Sequence, residues 1–327
     1  MDNHNSDAME LTMNLVRINS TDPGAYEGEI GEFIFQYLKG LDVPVIKKEV
    51  LPGRFNVMAR LEGEEQAPAL VYICHMDTVT TGEGWTVSPF GAEVIKGRIY
   101  GRGACDMKSG LACALSAFTS MALKARDGQK PKRTLVFIGT VDEEDFMRGA
   151  EAAIADGWVT KDCWVLDTEP TNGRIEVAHK GRTWFEITVK GITAHASTPW
   201  KGADAIAAMA EAVSFIRKSI AGCPSHADLG NSTVTFGQIT GGYRPYVVPD
   251  SCKVWIDMRL VPPTDTTSAV TIVENAIAAA IQEIPGITAS YQITGNRPYV
   301  EKDEQSPLLK ALGEACQKVT GEPAAVS

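Results

Sequence analysis

Apolar residues follow two different rhythms along this chain, and the change comes near Lys180. In the first half, Ile30, Phe33, Ile34, Tyr37 and Leu38 recur at helical spacing and predict a helix over 30–38. Residues 69–74, 134–141 and 163–166 are short, nearly unbroken apolar runs, the pattern of strands buried on both faces. An Ala-, Leu- and Met-rich stretch over 111–124 predicts a helix between the first two. Strands separated by helices imply an α/β layer with a largely parallel sheet.

Beyond Lys180 the pattern becomes alternating. Residues 183–190 read as a strand with one exposed face, followed by a helix over 203–219 and a strand over 232–239. After the Gly241-Gly242 turn come a strand over 252–260, a helix over 268–284 and a strand over 287–294. That β-α-β-β-α-β order suggests a small α+β domain inserted into the first. A last helix is predicted over 308–319.

Composition narrows the classes. With 327 residues the chain can hold two domains, and 44% hydrophobic with 22% charged residues is an ordinary globular balance. A net charge of −10 weighs against nucleic acid and anionic membranes as partners. The polar, acidic start Met1-Asp-Asn-His-Asn-Ser-Asp lacks a signal-peptide pattern, and no apolar run approaches the ~20 residues of a membrane span. Seven scattered cysteines without a CxxC pair fit reduced, buried thiols in a cytoplasmic protein.

The chemistry gathers where apolar runs stop. His75 and Asp77 follow the first run, two apart and so on one side. A carboxylate beside an imidazole can fix the tautomer of a metal ligand, although a pair of loop caps is the plainer reading. Tyr100-Gly-Arg-Gly-Ala-Cys-Asp-Met-Lys-Ser-Gly110 places Asp106 just before a helix, as ligand or as N-cap, and carries no phosphate-binding glycine signature. Asp142-Glu-Glu-Asp145 follows the second run; four adjacent acids repel one another unless a cation or proton sits among them. Adjacent carboxylates there can divide metal binding from proton transfer. The third run ends in Asp167 and Glu169. Each element alone is ambiguous, but ligands in open α/β sheets collect at the carboxyl ends of strands, so their coincidence points to a metal site.

These residues resemble the M20 family of metallopeptidases, which includes acetylornithine deacetylase, succinyl-diaminopimelate desuccinylase, glutamate carboxypeptidase and aminoacylase. The matching pieces are His75-Met-Asp-Thr-Val79, Trp85, Pro89-Phe90 and Gly101-Arg-Gly-Ala-Cys-Asp-Met-Lys-Ser-Gly110, then Asp142-Glu-Glu144, Glu169-Pro-Thr171, and Gly191-Ile-Thr-Ala-His-Ala196 with Pro199 and Gly202. The resemblance implies a zinc-exopeptidase-like catalytic domain with a mixed, largely parallel sheet over 1–180. It further implies an inserted ferredoxin-like dimerisation or lid domain over 181–294 and an incomplete return to the catalytic domain over 295–327. It implies two Zn²⁺ per subunit in the complete protein, with Co²⁺ or Mn²⁺ as substitutes: His75, Asp106 and Glu169 holding one ion, and Asp106 with Glu144 the other. Glu143 would be the general base, Asp77 would orient His75, and His195 would help bind the carbonyl oxygen in a neighbouring subunit of a homodimer. Asp167 competes with Glu169, since some relatives use an Asp there.

Two departures accompany the resemblance. Tyr246 stands before Val247-Val-Pro249 where the family usually has a substrate-contacting Asn. The family's last ligand, a His near its C-terminus, falls beyond Ser327, and His4, His179 and His226 do not replace it. The expectation is therefore a hydrolase of N-acyl amino acids or small peptides in a form lacking its C-terminal segment. The alternative is a catalytically silent dimeric binding or scaffold protein; phosphate-ester chemistry lacks a basic cluster to grip phosphate.

Overall fold

The computed structural model describes residues 4–327, with side-chain surroundings from residue 8 onward. Contacts divide the chain into two units, Met1–Asn172 and Gly173–Ser327.

The first unit opens with α1 (His4–Arg17) and α2 (Gly28–Lys39), then β1 (Val45–Leu51) and β2 (Arg54–Leu61). β3 (Leu70–His75) leads through the small hairpin β4 (Glu93–Ile95) and β5 (Arg98–Tyr100) to α3 (Lys108–Arg126). β6 (Leu135–Thr140), α4 (Arg148–Ala155) and β7 (Trp164–Asp167) complete it. The sheet order is β1-β2-β6-β3-β7. β3 runs parallel to both β6 and β7, while β1-β2 and β2-β6 are antiparallel, so the sheet is mixed.

β6 explains its own apolar run. Leu135 and Phe137 face a core that includes Leu15 of α1, Ile34 of α2 and Phe118 of α3. Val136 and Ile138 face the other layer with Val71 and Ala153 of α4. Successive side chains point to opposite faces, so a strand covered on both sides must be apolar throughout. β7 departs from the expected two-sided burial: it is an edge strand, and Val165 is 40% exposed.

The second unit contains β8 (Gly181–Lys190), α5 (Ala205–Ala221), β9 (Thr233–Gly241), β10 (Ser251–Leu260), α6 (Thr266–Glu283) and β11 (Thr288–Arg297). The antiparallel sheet order is β11-β8-β10-β9, the ferredoxin-like arrangement. Phe185 and Ile187 of β8 and Val254 and Ile256 of β10 pack against Met209 and Ile216 of α5 and Val273 of α6. Asp204 caps α5 by accepting the Ile206 and Ala207 N–H groups, and Asp265 caps α6 through the Ser268 N–H. After β11 the chain stays with this unit: Val300 pairs with His179, α7 (Pro307–Thr320) follows, and Val326 pairs with Ile175. Among the described residues no helix is long and apolar enough to cross a membrane. All seven cysteines are free, but only Cys74 and Cys252 are buried as expected; Cys163, Cys223 and Cys316 are half-buried, and Cys105 and Cys113 are exposed, one in the turn before α3 and one on that helix.

Candidate metal centre

Register places the candidate residues. His75 is the last residue of β3 and lies opposite Thr140, so the turn after β6 begins beside it. On the other flank Ile73 lies opposite Asp167, which brings Glu169 to the same edge. Asp106 arrives from the loop before α3. Gly110, in the first turn of that helix, lets the helix start press against the segment that follows β7: a Cβ there would lie 1.9 Å from the Thr168 carbonyl oxygen.

His75 Nε2 lies 3.1 Å from Asp106 Oδ1, 3.3 Å from Glu169 Oε1 and 3.9 Å from Glu143 Oε2. One ligand atom from each of His75, Asp106 and Glu144 falls within 4.8 Å of the others, and the same holds for His75, Glu143 and Glu169. Asp167 joins neither group. His75 Nδ1 stands 2.9 Å from the Asp77 carbonyl oxygen, which can only accept, so Nδ1 carries a proton in either charge state and only the neutral ring turns an Nε2 lone pair toward the acids. The Asp77 carboxylate is 3.7 Å from Nδ1 and is occupied otherwise: its two oxygens accept the Glu143 and Glu144 N–H groups at 3.2 and 2.9 Å.

The electrostatics favour positive charge at this point. Burial alone would depress the His75 imidazolium, but hydrogen bonds to Asp106 and Glu169 outweigh it and lift its pKa to about 11. The same hydrogen bond to His75 holds the Asp106 carboxyl below its ordinary value. Burial, with the charges of Glu169 and Glu144, pushes Glu143 up to about 7, and burial also raises Glu144.

The acidic run does not act as four equal charges. Asp142 is fully buried and grips the Arg148 guanidinium at 2.5 and 2.6 Å, with Arg54 3.5 Å away. Asp145 is exposed. The cation that relieves Asp142 is thus supplied by the chain itself, and the unrelieved repulsion concentrates on Glu143 and Glu144. A third acidic group, Asp22, Glu27 and Asp77, is also compact, but Arg54 ion-pairs with Asp22 and Glu27 at 2.6 Å each. Lys108 is fully buried, its Nζ donating to the Leu15 and Ile18 carbonyls at 3.0 and 2.7 Å, and burial pushes its pKa down to about 7.

His195 lies in the second unit, exposed, between β8 and α5. The Ser197 N–H donates to its Nδ1 at 3.2 Å, so Nε2 carries the proton in the neutral ring. Tyr246 is 58% exposed, and its carbonyl accepts the Ala196 N–H. His179 is held in the second unit by Val300, and His226 stands 3.8 Å from Glu301.

The model of peptidase family M20/M25/M40 matches residues 71–327. The chain belongs to that family. It is an M20-type hydrolase, a group of metallopeptidases and deacylases. The chain is 30% identical over 291 residues to an acetylornithine deacetylase of Pasteurella multocida, covering 86% of this chain and 74% of that protein. It is 28% identical over 305 residues to a probable carboxypeptidase of Aspergillus clavatus, covering 90% and 71%. Its fold matches the aminopeptidase PepT of Bacillus cereus with a TM-score of 0.77 at 23% identity, covering 98% of this chain and 83% of that one.

Sequence reading missed the groups around the acidic turn: Asp22, Glu27, Arg54, Asn56 and Arg148. The available signal was Arg54 and Asn56, two apart and so on one face, at the start of the mixed stretch Arg54–Leu61 that becomes β2.

Proposed function

We propose that this M20-type hydrolase uses a pair of zinc ions to cleave the amide bond of N-acyl amino acids or small peptides. The observation that carries the reading is the convergence of His75, Asp106, Glu143, Glu144 and Glu169 at one sheet edge with ligand atoms in two groups each within 4.8 Å. One imidazole nitrogen and several carboxylate oxygens form a donor set that suits Zn²⁺ and admits Co²⁺ or Mn²⁺. His75, Asp106 and Glu169 would hold one ion, and Glu144 the other, with Asp106 shared. Glu169 is preferred to Asp167 because its Oε1 lies 3.3 Å from His75 Nε2.

Bound metal would polarise the scissile carbonyl and make water a nucleophile at neutral pH. Glu143 takes the proton from the attacking water and returns it to the leaving nitrogen. Asp77 serves both sides of the centre: its carbonyl fixes the His75 tautomer, and its carboxylate holds the backbone of the turn that carries Glu143 and Glu144. In the second unit, which we assign to dimerisation and substrate covering, His195 Nε2–H is the tautomer that can donate to an oxyanion in the neighbouring subunit.

The test is Glu143→Ala, assayed on a panel of N-acetyl and N-succinyl amino acids and dipeptides alongside metal analysis. Turnover should vanish while bound zinc stays at the wild-type level. Loss of metal would make Glu143 a ligand and overturn the division of roles. A zinc-loaded wild-type protein that turns over nothing in the panel would move the reading to a dimeric binding protein.

A further inference from the structure

Four consecutive backbone N–H groups in the acidic turn, those of residues 141–144, all donate to side-chain oxygens. Val141 donates to Asn56 Oδ1 at 3.2 Å, Asp142 to Glu27 Oε1 at 2.9 Å, and Glu143 and Glu144 to the two oxygens of Asp77. The three acceptor residues are 1%, 1% and 0% exposed, so these bonds are shielded from water. A turn is ordinarily satisfied by its own backbone or by solvent; here both are replaced by fixed side chains.

The acceptors are themselves fixed. Arg54 Nε donates to Glu27 Oε2 at 2.6 Å, and an Arg54 terminal nitrogen reaches Glu27 Oε1 and Asp22 Oδ2, both at 2.6 Å. That two-point grip sets the plane of the Glu27 carboxylate as well as its position. Asn56, two residues on and so on the same face of β2, also donates Nδ2 to the Gly149 carbonyl at 2.8 Å, reaching the far side of the same loop. Asp142 meanwhile sits at φ +68, a conformation unfavourable for a residue with a side chain, which persists only when its surroundings over-determine it.

We propose that Arg54, Glu27 and Asn56 are positioning residues: a clamp from β2 and the start of α2 that holds the turn carrying Glu143 and Glu144 at the distance the reaction requires. None of the three needs to touch substrate or metal. The proposal rests on the assignment of Glu143 as base and Glu144 as ligand. A displacement of ~1 Å in such groups costs about 100-fold in rate, which is the scale of effect expected.

The decisive measurement is amide hydrogen exchange of the metal-free protein, read separately over residues 141–144 and over β6, in Asn56→Ala and in the double variant Arg54→Met/Glu27→Leu. The double variant removes Arg54 and Glu27 together, so the Glu27 carboxylate is not left buried alone, and adding Asp22→Asn does the same for the carboxylate that Arg54 also holds. Exchange over 141–144 should rise at least ~10-fold, while β6 stays within ~2-fold of wild type. On whichever substrate the wild type turns over, kcat should fall ~10–100-fold with KM changed by less than ~3-fold. Arg54→Lys, which keeps the charge but not the fork, should fall between wild type and the double variant in both readouts. Wild-type protection of 141–144 in the folded variants would overturn the clamp, as would a uniform rise over the whole sheet. Glu143→Gln, run in parallel, separates the two ideas: it should lose turnover with exchange unchanged. Retained turnover there would remove the base assignment and leave the exchange result to decide the clamp alone.

Discussion

Gly110 sits where the first turn of α3 meets the loop that carries Glu169, and a methyl group there has no room. The added carbon would lie 1.9 Å from the Thr168 carbonyl oxygen, 2.9 Å from its Oγ1 and 3.0 Å from its carbonyl carbon. The nearest obstacle is backbone, so no side-chain rotation relieves it. Taking 3.4 Å as the start of ordinary contact, helix or loop must give by about 1.5 Å. Whichever moves, Asp106 before the helix or Glu169 after Thr168 goes with it, and each now stands within 3.3 Å of His75 Nε2. Metal–ligand distances tolerate only about ±0.2 Å. Gly110→Ala is therefore expected to weaken zinc binding by at least ~10–100-fold, the range seen when ligand support is disturbed. The overpacking itself should cost about 1–3 kcal/mol of stability. Zinc affinity would be measured by competition with a chromophoric chelator, and stability by urea unfolding of the metal-free protein. Gly313→Ala is the control: nothing lies within 4 Å of its Cβ position on α7, so zinc binding should not change and stability should rise by ~0.5–1 kcal/mol. Wild-type zinc affinity in Gly110→Ala would refute the claim that this contact sets the spacing of Asp106 and Glu169.

Lys108→Met keeps the buried stem and removes the amino group that bridges Leu15 and Ile18; stability should drop by ~1–3 kcal/mol in urea unfolding, mostly from the Ile18 carbonyl, since Leu15 keeps the Ile18 N–H. Chelation followed by a thermal melt should lower Tm, with recovery on adding Zn²⁺; ion at 100 times its Kd contributes about 2.7 kcal/mol, and a Tm unmoved by chelation would argue against metal at this centre. Tyr72 should make the protein sensitive to alkali. Burial, with a smaller push from Cys74, raises its folded-state pKa above 10.0, so its contribution is fully present below pH 10 and is lost as pH rises toward the folded value. Tyr72→Phe should flatten that loss in urea midpoints measured between pH 9 and 11, and an unchanged slope would mean the hydroxyl titrates alike in both states.

Much of the centre was legible because its residues follow apolar runs. A parallel strand covered on both faces must be written in Leu, Val, Ile and Phe, so the first polar residue after it marks its tip, and His75, Asp142 and Asp167 each stand at or just beyond one. The 163–166 run misled in one respect: four apolar residues cannot tell a central strand from an edge, and β7 is an edge. α1 escaped notice, and so did the β1-β2 hairpin, whose second strand mixes Arg54 and Asn56 with Val57 and Ala59 and so lacks a clean period.

What the sequence determined by itself was the alternation of strands and helices, the strand tips and the donor types placed on them, because these depend on local patterning and on order along the chain. What only the tertiary structure decided was how the charges divide. It turned Asp142 from a repelling fourth acid into the buried partner of Arg148, and turned the Asp77 carboxylate from the His75 ring toward the backbone of Glu143 and Glu144. It also set Glu169, not Asp167, against His75. Asp142 and Arg148 are only six positions apart, but the other outcomes join groups 66 to 94 positions apart out of water, and beneath the turn Arg54 meets Glu27 and Glu27 meets Asp142 across 27 and 115 positions. A buried charge takes its meaning from its partner, and partners so distant in sequence are chosen by packing.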